Sequence, residues 1–370
     1  MEYGPLIDKI SLLKRLLIFS GNLFFAVIRK IVKKERNGNI VITSLHLLGD
    51  SVLAIPALNE IFKNYPGKKI YIVSFPETKT IYELAFESDS IVAINRKYFK
   101  FENRIATSKA RKILKELKPE IIFDITGAIN SATLIFNSNA SEIYGLKSMS
   151  SAIFTDKIYN KLTSVRKTPH LIDMYLDVPE FIFPVERDRD KIKFPLTVKN
   201  IEKILIHPFA GWKAKEWGLE KFIELAVQLK KEYKVEFVVP SNSLEKDVIS
   251  GIELLGVPVY QSKSVNDLIT KIKECSLLIG CDSGPIHIAA LLGKLTLAVF
   301  GPTNPDYISP LGEGHFFVRK EIKCSPINDK YCYTSAGRFC PSYLCMLELS
   351  VSDVKVKLNE LFSTFYHSSN

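Results

Sequence analysis

Residues 280–305 read GCDSGPIHIAALLGKLTLAVFGPTNP. The apolar run Ser276–Ile279 leads into the polar tetrapeptide Asp282-Ser283-Gly284-Pro285. Ile286–Leu292 follows as a small-residue helical run, and Leu295–Phe300 reads as a buried strand. The tetrapeptide therefore falls where a strand ends and a helix begins. Asp282 or Ser283 suits the N-cap, and Pro285 the first helical turn. Free backbone N–H groups at such a turn, with the helix dipole, suit an anion, and His287 is expected to face the same mouth. A capped turn in an ordinary α/β sheet would carry the same residues, so this stretch points to the architecture and leaves the ligand open.

The alternation extends outward in both directions. In the second half, strands are expected at Lys203–His207, Val235–Val239, Val257–Tyr260, Leu277–Gly280 and Leu295–Phe300. Helices are expected at Leu219–Glu232, Leu244–Leu254, Val265–Lys273 and Pro285–Leu292, with a last one at Val351–Phe365. The first half has the same rhythm, with strands at Asn39–Thr43, Lys69–Ser74, Ile91–Ile94 and Glu120–Ile125. Its helices fall at Ser51–Tyr65, Glu77–Phe86, Arg104–Leu117 and Ile129–Asn137, and Pro56 predicts a late start or a kink in the first. Residues 138–200 read as irregular. Pro179, Pro184 and Pro195, with the mixed charges of Glu186–Lys193, mark the connection between two domains. The expected fold is α/β, two doubly wound Rossmann-like domains facing across a cleft. The expected boundaries are 40–185 and 186–350, preceded by an added segment at 1–39 and followed by a helix and tail at 351–370.

Composition bounds the function. Of 370 residues, 46% are hydrophobic and 24% charged, which excludes a disordered chain and suits two domains. A formal net charge of +10 suggests an anionic partner: a nucleotide, a phosphorylated lipid or an anionic membrane. No zinc-finger spacing and no RNP-type aromatic motif occur, so nucleic acid is not expected. Neither G-x-G-x-x-G nor a P-loop is present, which argues against a standard dehydrogenase or NTPase and leaves a nucleotide-sugar as the ligand class. No cleavable signal peptide is evident, so a reducing cytoplasm without structural disulfides is the default. Cys275 and Cys281 lie in apolar runs and read as buried thiols.

The charge is unevenly spread. Residues 1–36 hold eight basic and three acidic side chains, half of the excess. They surround Leu16–Ile28, thirteen residues without a charge. That is too short to span a bilayer, which needs about 20 residues. It suits a helix lying in the interface with Lys and Arg on anionic headgroups, or one packed on protein. The first reading makes residues 5–36 the contact with an anionic membrane surface. After the first strand comes Ser44–Asp50. A carboxylate at such a crossing lies at the carboxyl end of the sheet, where these folds bind ligands, although a simple N-cap role would account for Asp50 as well. Lys97, Lys100, Arg104, Lys109, Arg111 and Lys112 form a basic cluster, either a solvated face or a surface for an anionic acceptor.

Three separated stretches carry a family resemblance. Leu45–Pro56, His207–Trp217 (His-Pro-Phe-Ala-Gly-Trp-Lys-Ala-Lys-Glu-Trp) and Asp282–His287 with Phe300–Pro305 resemble, in order and spacing, the motifs of the heptosyltransferases, glycosyltransferase family 9. The resemblance covers residues 40–365. It implies the GT-B fold and an inverting transfer of a sugar, typically from ADP-L-glycero-D-manno-heptose, to a lipid-linked glycan acceptor, the lipopolysaccharide inner core, at the cytoplasmic face of the inner membrane. It implies that Asp50 is the general base and that Lys215 neutralises the diphosphate leaving group. Gly49, His207, Asp282, Ser283, Gly284, Pro285, Ile286 and His287 would complete the donor site. No cofactor or catalytic metal is expected. The rival classes are a same-fold nucleotide-sugar epimerase or hydrolase and a membrane-attached scaffold without chemistry.

The chain departs from the family pattern at several points. Phe209 stands where Gly is frequent, and Gly211 where Ser or Thr is. Asp124-Ile125-Thr126-Gly127 replaces Asp-x-Gln-Gly, with Asn130 where Arg is common, on the expected acceptor side. Glu245 is either the ribose-binding carboxylate or a helix-start acid. Asp188-x-Asp190 falls in the charged linker, where a solvated loop is expected. Cys324, Cys332, Cys340 and Cys345 cluster near the end of the chain, and a structural metal or disulfides are both open there. If residues 1–36 form the membrane contact, deleting them moves the protein from the membrane pellet to the supernatant on ultracentrifugation; a pellet fraction unchanged by the deletion removes that reading.

Overall fold

The computed structural model describes residues 37–100, 105–147, 156–164, 170–332, 337 and 339–366, together with Ser20, Phe24, Val27 and Lys34. The expected membrane segment at 1–39 and Arg104 of the basic cluster thus fall largely outside the described residues. The chain divides into two units. The first holds the described residues up to His46, from Ala54 to 164 and from Met174 to Val185; the second holds Leu47–Leu53, 170–173 and the residues from Glu186 onward. No described helix is long and apolar enough to cross a membrane.

In the first unit, six strands form one parallel sheet: β1 (Asn39–Thr43), β2 (Ile70–Ser74), β3 (Ile91–Ala93), β4 (Pro119–Asp124), β5 (Glu142–Gly145) and β6 (Lys161–Leu162). Their order is β3-β2-β1-β4-β5-β6. The apolar β-branched runs of β1 and β4 occupy the middle, where both faces are covered. Val41, Val73, Phe75, Ile122 and Leu134 pack together in the core. β5 and β6 arise in the region read as irregular; they are four and two residues long, too short for a periodic signal. The helix expected from Arg104 covers only Ser108–Glu116, because Ile105–Ala106 pairs antiparallel with Phe99–Lys100 instead.

The helix Leu48–Asn64 corrects another expectation: it starts early, not late, and runs through Pro56. The Leu47 carbonyl accepts both the amide and the hydroxyl of Ser51, each at 2.9 Å, and closes the first turn. Asp50 is therefore a residue of that turn rather than its cap.

Asp124, at the end of β4, is fully buried. Its carboxylate accepts from Thr43 Oγ1 at 2.7 Å, Thr126 N at 3.1 Å, Ser131 Oγ at 2.8 Å and Tyr159 Oη at 2.7 Å. Burial pushes its pKa up and these donors pull it down; burial prevails. Four donors use the capacity of the carboxylate, so Asp124 pins β1, β4 and the following turn together.

The second unit repeats the plan with β7 (Lys203–His207), β8 (Lys234–Pro240), β9 (Val259–Ser262), β10 (Leu277–Cys281), β11 (Leu295–Phe300) and β12 (His315–Arg319). All pairings are parallel, in the order β9-β8-β7-β10-β11-β12. β12 was not expected from the sequence. In both sheets the order reverses at the centre, β1/β4 and β7/β10, and such a reversal opens a crevice outside the carboxyl ends of the strands.

The helix Val351–Tyr366 belongs to this second core: Val351, Val354, Leu358 and Leu361 are buried with Phe222, Phe237 and Leu277. Trp217 Nε1 donates to the Leu349 carbonyl at 2.8 Å, and Lys221 Nζ caps the Met346, Leu347 and Leu349 carbonyls, each at 2.8 Å. Leu358→Ala should lower stability by about 2–5 kcal/mol through the lost methyl groups and the cavity left behind. Chemical denaturation followed by tryptophan fluorescence measures it, since both tryptophans lie in this unit.

Candidate active site

Lys215 and Asp282 lie beyond the two central strands of the second unit. β7 ends at His207, and the chain continues to a single 3-10 turn, Lys213–Lys215. β10 ends at Cys281, directly before Asp282. Lys215 Nζ donates to Asp282 Oδ2 at 2.5 Å, with the two side chains 8% and 3% exposed. The Trp212 ring covers the ammonium at 4.4 Å. The Asp282 amide is held by the Val299 carbonyl at 3.0 Å. A buried pair of this kind ties two loops together, and removing one partner strands the other charge.

Ser283 is the N-cap of the helix Gly284–Leu291, and Pro285 occupies the first turn. The Ser283 side chain does not cap: its Oγ is out of contact with solvent and without a hydrogen-bond partner. His287 is 2% exposed, and its Nδ1 also lacks a partner. Buried polar atoms are nearly always satisfied, so two idle ones in the first turn of one helix single it out as a candidate site. Burial lowers the His287 pKa to about 4, against the opposing fields of Asp282 and Asp50. The ring is therefore neutral near pH 7.

Asp50 reaches this place through Gly49. A Cβ on Gly49 would stand 2.8 Å from His287 Cδ2, and one on Gly284 would stand 2.8 Å from Leu48 Cβ. The absence of both side chains lets the first turn of Leu48–Asn64 lie against the first turn of Gly284–Leu291. Ile286 and Pro285 are buried beneath it. His207 Nδ1–H donates to the Phe209 carbonyl at 3.1 Å, and burial lowers its pKa to about 4. Phe209 meets the His207 ring edge-on and packs on the core, at the position where Gly is frequent in the family pattern.

The structure thus gathers Gly49, Asp50, Lys215, Asp282, Ser283, Gly284 and His287, with His207 at the root of the loop. Other candidates stand apart. Glu245 is exposed at the start of the helix Lys246–Leu254. Asp188 caps a short helix by accepting from Asp190 N at 3.0 Å. Cys275 and Cys281 are buried thiols. The cysteine cluster also lies apart. Cys324, Cys332, Cys340 and Cys345 are free and line one cavity of about 480 Å³, but among the described residues no group of three His, Cys, Asp or Glu could hold a metal ion. The thiols line this cavity near enough that Cys324, Cys332 and Cys340 add to the burial that raises the Cys345 pKa to about 11, and Cys340 Sγ accepts from the Tyr343 amide at 3.3 Å.

The model of glycosyltransferase family 9 (heptosyltransferase) matches residues 108–336. The chain belongs to glycosyltransferase family 9. This glycosyltransferase is 26% identical over 302 residues to lipooligosaccharide heptosyltransferase 2 of Campylobacter jejuni, covering 77% of this chain and 88% of that protein. Among solved structures it resembles the family 9 glycosyl transferase from Veillonella parvula, with TM-score 0.70, 20% identity, and coverage of 88% of this chain and 98% of that one. It also resembles E. coli heptosyltransferase WaaC with ADP-2-deoxy-2-fluoro heptose, with TM-score 0.62, 17% identity, and coverage of 87% and 99%. The fold is GT-B.

Three residues near the site escaped the sequence reading. Lys330 stands in the field of Asp50, Lys215 and Asp282. Tyr307 is buried and also in the field of Asp50. Thr303 is fully buried with an idle Oγ1. Lys330 and Tyr307 follow the last quoted motif, in a stretch with no periodicity that would single them out, and Thr303 lies inside that motif without a role assigned to it.

His207, His287 and His315 all have pKa values lowered by burial to about 4. The unfolded chain takes up these protons near pH 6.5, so stability is full above that pH and is lost as the pH falls toward 4. The midpoint of thermal unfolding should drop by several degrees between about pH 7 and pH 5, as read by circular dichroism, and His315→Asn should flatten that drop.

Proposed function

We propose that this glycosyltransferase moves heptose from an ADP-heptose-type donor to the lipopolysaccharide inner core or a related surface glycan, with inversion at the anomeric carbon. The Campylobacter relative bears the name of a lipooligosaccharide heptosyltransferase, and the WaaC structure carries an ADP-heptose analogue; both support the choice of donor and acceptor. The observation that carries the chemistry is the meeting of Asp50 with the Lys215–Asp282 pair and the idle atoms of Ser283 and His287.

In this reading Asp50 takes the proton of the acceptor hydroxyl while that oxygen attacks the anomeric carbon. The bond from that carbon to the diphosphate oxygen breaks on the opposite face, and the diphosphate departs with the electron pair. A partly exposed carboxylate in the first turn of a rigid helix suits a general base. Lys215, the Ser283 hydroxyl and the N–H groups of the first helical turn stabilise the charge on the diphosphate. No divalent metal takes part. Residues 40–185 bind the acceptor and 186–350 the donor, and the segment at 5–36 holds the protein against the cytoplasmic face of the inner membrane.

Asp50→Asn should lower kcat by about 100-fold or more while leaving ADP affinity within threefold of the wild type. Transfer assays with ADP-heptose and a heptose-less core acceptor, with calorimetric ADP titration, measure both. An Asp50→Asn enzyme of normal kcat, or a product that retains the donor's anomeric configuration, would sink the mechanism.

A further inference from the structure

Lys330 lies on the chain that returns beside Phe300–Pro305. The Asn304 amide donates to the Lys330 carbonyl at 3.0 Å, the Asn304 side chain donates to the Ile327 carbonyl at 3.2 Å, and Thr303 pairs with Tyr331 in an antiparallel bridge. The backbone of Lys330 is thus fixed. Its ammonium lies 4.5 Å from the centre of the Tyr307 ring and 5.0 Å from that of Tyr331. Among the described residues no carboxylate forms an ion pair with it. Burial lowers its pKa, and the strongest opposing field is that of Asp50.

The two cations near Asp50 are therefore in different states. Lys215 is neutralised by a carboxylate at 2.5 Å. Lys330 is largely desolvated and, among the described residues, lies beside two ring faces rather than a carboxylate, and those faces recover part of what burial costs it. Two residues before Tyr331's bridge partner begins the turn at Gly301-Pro302, and the partner itself, Thr303, holds a buried hydroxyl with nothing to bond. A fixed, unpaired ammonium and an idle hydroxyl on neighbouring segments suit an anionic oxygen supplied by a ligand.

We propose that Lys330 is a second cation for the donor's diphosphate, adding an unpaired charge to that of Lys215, which Asp282 already offsets in part. The proposal rests on the nucleotide-diphosphate donor of the proposed function. It divides the work: Lys215, paired with Asp282, orders the loops and contacts the diphosphate, and Lys330 supplies net positive charge as the bond to the sugar breaks.

The test uses the full chain, with ADP and adenosine as probes. Lys330→Met should weaken ADP by about 10-fold or more and leave adenosine unchanged, since only ADP carries the diphosphate. Lys330→Arg should keep most of the ADP affinity. In transfer assays Lys330→Met should lower kcat with the KM for acceptor unchanged. Removing an unpaired buried charge should not lower the melting temperature; should the methionine variant fail to fold, Lys330→Gln is read in its place. Wild-type ADP affinity in the neutral variant overturns the proposal alone. A raised acceptor KM with normal ADP affinity also overturns it, by moving the lysine to an anionic group of the acceptor. A wild-type chain that binds no ADP overturns the donor reading and this proposal together.

Discussion

The site depends on one ion pair. Lys215 and Asp282 come from loops that follow different strands, and each would be intolerable alone at its depth. An isolated buried charge costs several kcal/mol, and breaking such a pair typically costs about 3–5 kcal/mol. Together they fix the end of β7 against the end of β10, where the sheet order reverses. The helix Gly284–Leu291 then starts at a set place, with Ser283 and His287 in its first turn. The packing of Leu48 and Gly49 on that turn brings Asp50 to the same spot.

The two units use one topology and finish it differently. In the first, the carboxylate at the end of the central strand is Asp124, closed by four donors and unable to serve a ligand. In the second, the residues beyond the central strands keep polar atoms unspent: Ser283 Oγ, His287 Nδ1 and Thr303 Oγ1. The closed network fastens a scaffold, and in the proposed function the open one serves the donor. Unsatisfied groups of this kind cost stability in the empty protein, and a ligand that bonds them recovers that cost.

Charge is divided in the same way. A cation already paired with a carboxylate adds little net field to a phosphate, whereas an unpaired one beside aromatic faces adds its full charge. Two lysines in one site are therefore not redundant. Lys215 sets geometry and, in the proposed function, contacts the diphosphate, and the proposed task of Lys330 is to strengthen the electrostatic response to the leaving group.

The sequence by itself determined the alternation of strands and helices, because apolar runs bounded by polar turns are local signals. It also determined the family, through Asp50, His207–Trp217 and Asp282–Pro305, whose residue types and spacing survive without reference to contacts. It did not reveal β5, β6 or β12, whose pairing is conferred by strands already in place. It misread the start of Leu48–Asn64, since a proline signal is local, whereas Ser51–Leu58 are held in the helix by burial along its whole middle. Only the tertiary structure decided that Asp124 is spent and Ser283 is not, that four clustered cysteines line one cavity, and that Lys330 stands in the field of Asp50. Each of these turns on which groups meet across long stretches of chain, and a side chain carries no mark in the sequence of whether its hydrogen bonds or its charge will find a partner.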